Sequence, residues 1–177
     1  MLAISFPLIA AHHAEAAQDV DPWGVPDRML GPIPDGFYGA VGRVVTLSAL
    51  LEDRLRALLQ AVRHAPQTAH AKDAPGRFIP ELRRQAAKLG PDWARLAGYL
   101  DDVDAALERR NVLVHNLWQS KDGHFYGHRL DRTPKRASAT TTLDELHADI
   151  AELVRLIDGW QPWFALAGSI PWRQGDT

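Results

Sequence analysis

The stretch LAGYLDDVDAALERRNVLVHNL, Leu96–Leu117, decides how the chain is read. Leu96, Leu100, Val103, Leu107, position 110, Val114 and Leu117 are spaced 4, 3, 4, 3, 4, 3. That period belongs to an amphipathic helix with one buried stripe. One position breaks the stripe, because residue 110 is an arginine. A guanidinium in an apolar seam costs on the order of several kcal/mol unless its charge is paired or hydrated. Three arrangements would satisfy it: an acid on another helix such as Glu52 or Asp53, a subunit boundary, or a cleft open to anions.

A second row runs beside the first. Asp101, Asp104, Glu108, Asn111 and His115 are spaced 3, 4, 3 and 4, so an acidic face ends in an amide and an imidazole. Asn111 and His115 are four apart and share a face. Arg110 and His115 are five apart, about 140° around the helix at ~100° per residue. One helix therefore does not aim both at one point. Residue by residue, the plain reading is a wet face, a histidine placed favourably at a helix end, and an arginine in an ion pair.

The rest of the chain supplies partners for this helix. Val41, Val44, Ser48, Leu51, Leu55, Leu58 and Val62 repeat the 3, 4 spacing and predict a helix over Tyr38–Arg63, with Ser48 as a polar member of the seam. A shorter helix is expected over Pro80–Leu89, closed by Gly90-Pro91. The Leu96 helix is expected to begin near Asp92. The last helix opens at Thr142, where Thr142 and Glu145 form a capping-box pattern, and Pro162 is expected to break it near Trp160. Between the third and last helices, Asp122-Gly123 predicts a β-hairpin turn, and TPKRASATTT, Thr133–Thr142, reads as a loop. Trp93, Trp118, Trp160 and Trp163 read as packing residues. Four prolines and three glycines in Asp21–Gly36 predict an extended arm rather than a helix. The expected fold is all-α: an up-and-down helical bundle over 37–177 with a small β-hairpin insertion after the third helix, preceded by an arm or linker over 1–36.

Composition narrows the function. The chain has 177 residues, 46% hydrophobic and 24% charged, which suits a globular domain with a real core. A formal net charge of −2 argues against nucleic-acid binding by bulk charge and leaves a local basic cleft open. The absence of cysteine excludes disulfides and thiol nucleophiles and fits a reducing compartment. The apolar N-terminal run is interrupted by Pro7 and has no preceding Lys or Arg, so it is not expected to be a signal peptide; a cytoplasmic protein that does not enter the membrane is expected.

The residues RNVLVH, Arg110–His115, resemble the signature of the HEPN superfamily (higher eukaryotes and prokaryotes nucleotide-binding): Arg, usually a polar residue such as Asn next, then His after four to six intervening positions, near the end of a long bundle helix. Arg63 and His70 also fit the spacing but straddle Pro66, whereas Arg110 lies in the helix seam. The resemblance covers about Phe37 to Leu166. It implies a homodimer whose signature helices face a shared cleft, and a metal-independent endoribonuclease needing no cofactor. RNA would be cut to 2′,3′-cyclic phosphate and 5′-hydroxyl ends. His115 would transfer protons, Arg110 would hold the scissile phosphate, and Asn111 would orient His115 or bind phosphate. Arg109 and Asn116 would be substrate contacts. Toxin and anti-phage members add a cognate antitoxin as an implied partner. Other members are inactive nucleotide-, RNA- or protein-binding modules. Toxins silenced by a partner nucleotidyltransferase often carry Tyr two residues after the histidine, where this chain has Leu117. No metal site is expected: His124 and His128 can share a strand face but lack further ligands, and His12-His13 is a weaker pair still.

Overall fold

The computed structural model describes residues 20–63, 77–130 and 136–170. It is mostly helical, with a three-stranded antiparallel sheet. The helices are α1 (Asp27–Leu30), α2 (Asp35–Arg63), α3 (Phe78–Leu89), α4 (Leu96–His115), α5 (Leu143–Asp158) and α6 (Gln161–Gly168). The strands are β1 (Leu117–Lys121), β2 (His124–Leu130) and β3 (Arg136–Thr141), in the order β1-β2-β3.

Helix α2 is the hub against which α3, α4, α5 and α6 pack. It buries Val44, Ser48, Leu51, Leu55, Leu58 and Val62 as the sequence spacing expects; at the start Phe37 and Ala40 take the inward positions, and Val41, expected in the stripe, is only half-buried. Two ion pairs, Arg109–Asp149 and Arg155–Asp102, fix α4 and α5 as antiparallel neighbours. Trp118, just past the end of α4, stacks edge-on against Phe37 at the start of α2, while Arg110 reaches Glu52 further along it. Helix α4 therefore also runs opposite to α2.

Several local expectations hold. Thr142 caps α5: its hydroxyl accepts from the Glu145 amide at 3.2 Å, and the Glu145 carboxylate accepts from the Thr142 amide at 2.9 Å. Helix α5 stops at Asp158, and Pro162 sits in the first turn of α6, where a missing N–H costs nothing. Asp122 (φ 51°) and Gly123 (φ 76°) make the left-handed pair that a two-residue hairpin turn requires. Trp93 and Trp118 are buried in the core, and Trp163 packs against it. Trp160 stacks on Phe164 and lies beneath the Arg54 guanidinium.

Other expectations need correction. The segment read as a loop after the hairpin contains β3, whose Thr141 pairs with Phe125 and Ser138 with His128. Arg-Ala-Ser-Ala-Thr-Thr alternates only through small alanines, a weak strand signal, although Ala139 packs against the core; the second edge of β2 supplies partners for its backbone groups. Helix α3 begins at Phe78 rather than Pro80, because Phe78 and Ile79 are themselves buried. Proline at the third helical position still falls among the amides with no partner inside the helix. A 3₁₀ turn, Pro91–Trp93, precedes α4, which starts at Leu96 rather than near Asp92. The arm is not wholly extended. Asp27–Leu30 forms one helical turn, and α2 begins at Asp35.

The sheet docks by its inner face. Phe125 stacks on Phe37 with ring centroids 4.1 Å apart, and the Trp118 indole N–H donates to the Leu113 carbonyl at 2.7 Å. Gly127 passes beneath Trp118, where an added Cβ would lie 2.9 Å from the ring. On the other side Gly31, at φ 76°, presses against the Ser120 carbonyl, and any side chain there would collide with it. This contact holds the arm to β1.

Two consequences can be measured. The Ser48 hydroxyl is fully buried in the α2 seam and has no hydrogen-bond partner among the described residues. Removing an unpaired buried hydroxyl relieves its desolvation cost, so Ser48→Ala is expected to raise unfolding free energy by about 1 kcal/mol in urea titration. The second concerns Glu81, which receives hydrogen bonds from Arg84 and pairs with Arg63 of α2. These contacts, that of Arg84 foremost, hold its carboxyl well below the usual carboxylate range despite the opposing effect of burial. A depressed folded-state value gives stability that is complete above the unfolded pKa of about 4.3 and is lost as pH falls toward the folded one. Glu81→Gln should therefore flatten stability against pH below about pH 5, read by thermal melts across the acid range.

Candidate functional site

The C-terminal half of α4 carries every candidate catalytic or substrate-contact residue except Asn116, which follows it directly. Arg110 points into the seam with α2, and its Nη2 donates to Glu52 Oε1. The two side chains retain 22% and 15% of their exposure, so the pair is half-buried rather than fully desolvated. Asp53 is engaged elsewhere, with Arg56 at 3.3 Å. Of the two acids considered from the sequence, the structure selects Glu52. Among the described residues the buried Arg110 Nε has no partner, which leaves this guanidinium incompletely used.

Its neighbours are also engaged. Arg109 pairs with Asp149 of α5 at 2.6 Å. Asn111 donates to Glu108, one turn earlier, at a long 3.5 Å. Asn116 folds its amide back onto the Val112 carbonyl, and its buried Oδ1 has no partner among the described residues. His115 is the last residue of α4 and is exposed. A protonated imidazole there would face the negative end of the helix dipole favourably.

The buried face of α4 turns near its end. Leu96, Leu100, Val103 and Leu107 are buried as expected, but in the last turn Leu113 is buried instead of Val114. Trp118 causes this by folding back onto the Leu113 side. Val114 and Leu117 are left 38% and 62% exposed on either side of His115.

Within one chain, then, Asn111 and His115 share a face, while Arg110 is turned away toward α2. A groove of about 560 Å³ lies elsewhere, between α1 and the β1–β2 hairpin, and none of Arg109, Arg110, Asn111, His115 or Asn116 lines it. His124 and His128 do fall on the same outward strand face, four residues apart. Among the described residues no group of three His, Asp or Glu side chains could hold a metal ion.

Comparison of the chain with protein-family models, curated proteins and solved structures gives no match. The functional reading accordingly rests on side-chain chemistry and geometry. Among the described residues no helix is long and apolar enough to cross a membrane.

The Arg110–Glu52 pair gives a direct test. Deleting one partner leaves the other charge half-buried, a cost between that of exposed and fully buried pairs. Arg110→Ala and Glu52→Ala should each lower stability by about 1–3 kcal/mol, with a double-mutant coupling of about 1 kcal/mol. Asp53→Ala should change stability by less than about 0.5 kcal/mol. Chemical denaturation of the four variants beside the parent chain measures all of these terms.

Proposed function

We propose that the chain is a metal-independent endoribonuclease of HEPN type, an up-and-down helical bundle that works as a homodimer in the cytoplasm. One observation carries the reading. His115 stands exposed at the end of α4, one turn beyond Asn111, with Val114 and Leu117 exposed on either side. Exposed apolar side chains around a polar pair suit a contact between two copies. Two α4 ends meeting there would bring two imidazoles and two amides to one cleft.

The chemistry follows from those groups. One His115 accepts the proton of a ribose 2′-hydroxyl as its oxygen attacks the adjacent phosphorus. The P–O5′ bond breaks, and the partner copy's imidazolium protonates the departing 5′-oxygen. The products are a 2′,3′-cyclic phosphate and a 5′-hydroxyl. Asn111 would orient the imidazole or donate to phosphate, and Arg109 and Asn116 would need to exchange their internal partners for RNA. Arg110, held by Glu52, would contribute through guanidinium donors that the ion pair leaves unused. A toxin or anti-phage effector with a cognate antitoxin fits this activity.

The Arg110–Glu52 pair favours a second reading, a catalytically inactive module that binds nucleotide, RNA or protein. A carboxylate beside the arginine opposes phosphate binding there and gives the charge a structural reason to exist.

Cleavage of mixed RNA by the purified chain in chelator separates the two. The nuclease reading expects products with cyclic phosphate ends and a drop of at least roughly a hundredfold in rate for His115→Ala at unchanged dimer content. Full activity in His115→Ala would sink it. RNA affinity without turnover across varied RNAs would establish the inactive module.

A further inference from the structure

The groove beside β1 is separate from the α4 residues and has no role in the chemistry above. Along one wall the outward face of the hairpin presents Gln119 and Lys121 of β1 and Tyr126 and His128 of β2. Across from it stands Arg28 of α1, and Asp122 closes the end at the turn. Gly31, packed on the Ser120 carbonyl, sets the distance between the walls. Among the described residues neither Arg28 nor Lys121 forms an ion pair, although many arginines of this chain do. The fixed charges lining the groove are two cations and one carboxylate, in a chain whose net charge is −2.

Two rings and two uncommitted cations, spread along one open groove, match a chain of alternating planar bases and phosphates. A volume of about 560 Å³ is on the scale of sites that hold small organic ligands, enough for a nucleotide unit. The groove's direction adds the third argument. His128 pairs in register with Leu117, and Lys121 with His124. The groove therefore runs along β1 from the hairpin turn toward Leu117, two residues beyond His115.

We propose that this groove binds a single-stranded RNA segment flanking the cleavage point, with a base stacked on Tyr126 and phosphates held by Arg28 and Lys121. The assignment deepens the ribonuclease reading and rests on it for the identity of the strand. Stacking on an aromatic ring tolerates every base, so binding is largely independent of sequence.

The experiment is fluorescence anisotropy of the full chain with fluorescein-labelled ten-nucleotide oligo(U) and oligo(A), across a salt series. His115→Ala serves as the background, so that bound RNA stays intact. Tyr126→Ala is expected to weaken both oligonucleotides roughly tenfold, whereas Tyr126→Phe keeps affinity. Arg28→Ala with Lys121→Ala is expected to reduce the slope of log affinity against log salt by about 0.7 for each phosphate that is no longer neutralised. Thermal melts confirm that each variant folds. Unchanged affinity in Tyr126→Ala and in the double cation variant overturns the proposal, as does absence of oligonucleotide binding at low salt. A free mononucleotide that competes as well as the oligonucleotide also overturns it, by making the groove a small-molecule site. The two readings fail separately. Cleavage that depends on His115 with a groove indifferent to RNA removes only the groove assignment. Groove-dependent binding without cleavage removes only the nuclease.

Discussion

A guanidinium in the seam between two helices is costly unless its charge is paired or hydrated, and here a carboxylate on α2 pairs it. Glu52 meets Arg110 at one depth along α2. That contact acts beside the buried packing of Leu96, Leu100 and Val103 in holding α4 on α2, and a charge tolerates sliding by a turn less well than an apolar side chain. With α4 so held, Trp118 arrives at Phe37, and the sheet arrives with its inner aromatic face against the start of α2. Arg109–Asp149 and Arg155–Asp102 repeat the arrangement on the other side of α4, at more exposed positions where each contributes less.

The same ion pair bears on function in two opposing ways. It holds the arginine in one orientation, which lowers the entropy cost of using it on a phosphate. It also supplies a negative charge where a phosphate would approach. Which effect dominates depends on the donors that Glu52 leaves over, since a guanidinium has five N–H groups and the pair engages Nη2. His115 has no such conflict, being exposed at a helix end.

Much of the helical frame was legible in the sequence because it rests on local rules. The α2 stripe, the Thr142 capping box, the Asp122-Gly123 turn and the break at Pro162 each follow from side-chain spacing or backbone preference. What was not legible depends on distant neighbours. Strand β3 has only a weak pattern of small residues, with Ala139 turned to the core, and it is completed by pairing with the second edge of β2. Val114 looks as buried as Leu107 by period, but a tryptophan four residues further on selects Leu113 instead. The α4 site was visible residue by residue, including Glu52 as a partner for Arg110. Its surroundings were not, because no spacing rule says which face of a helix end stays open. The groove at β1 was hidden for a related reason: its second wall comes from an arm that proline and glycine content marked as a linker.

The joints of the small sheet carry a mechanical consequence. Asn116 alone separates α4 from β1, and Thr142 alone separates β3 from α5. A single residue leaves little torsional freedom for a hinge, and Thr142 is further held by both bonds of its capping box. The sheet is thus clamped at its entry and its exit to two antiparallel helices. Any tilt of α4 against α5 would be carried into the sheet as a lever stroke rather than absorbed at the junctions. His115 and the outward strand face would then move together, with their spacing preserved.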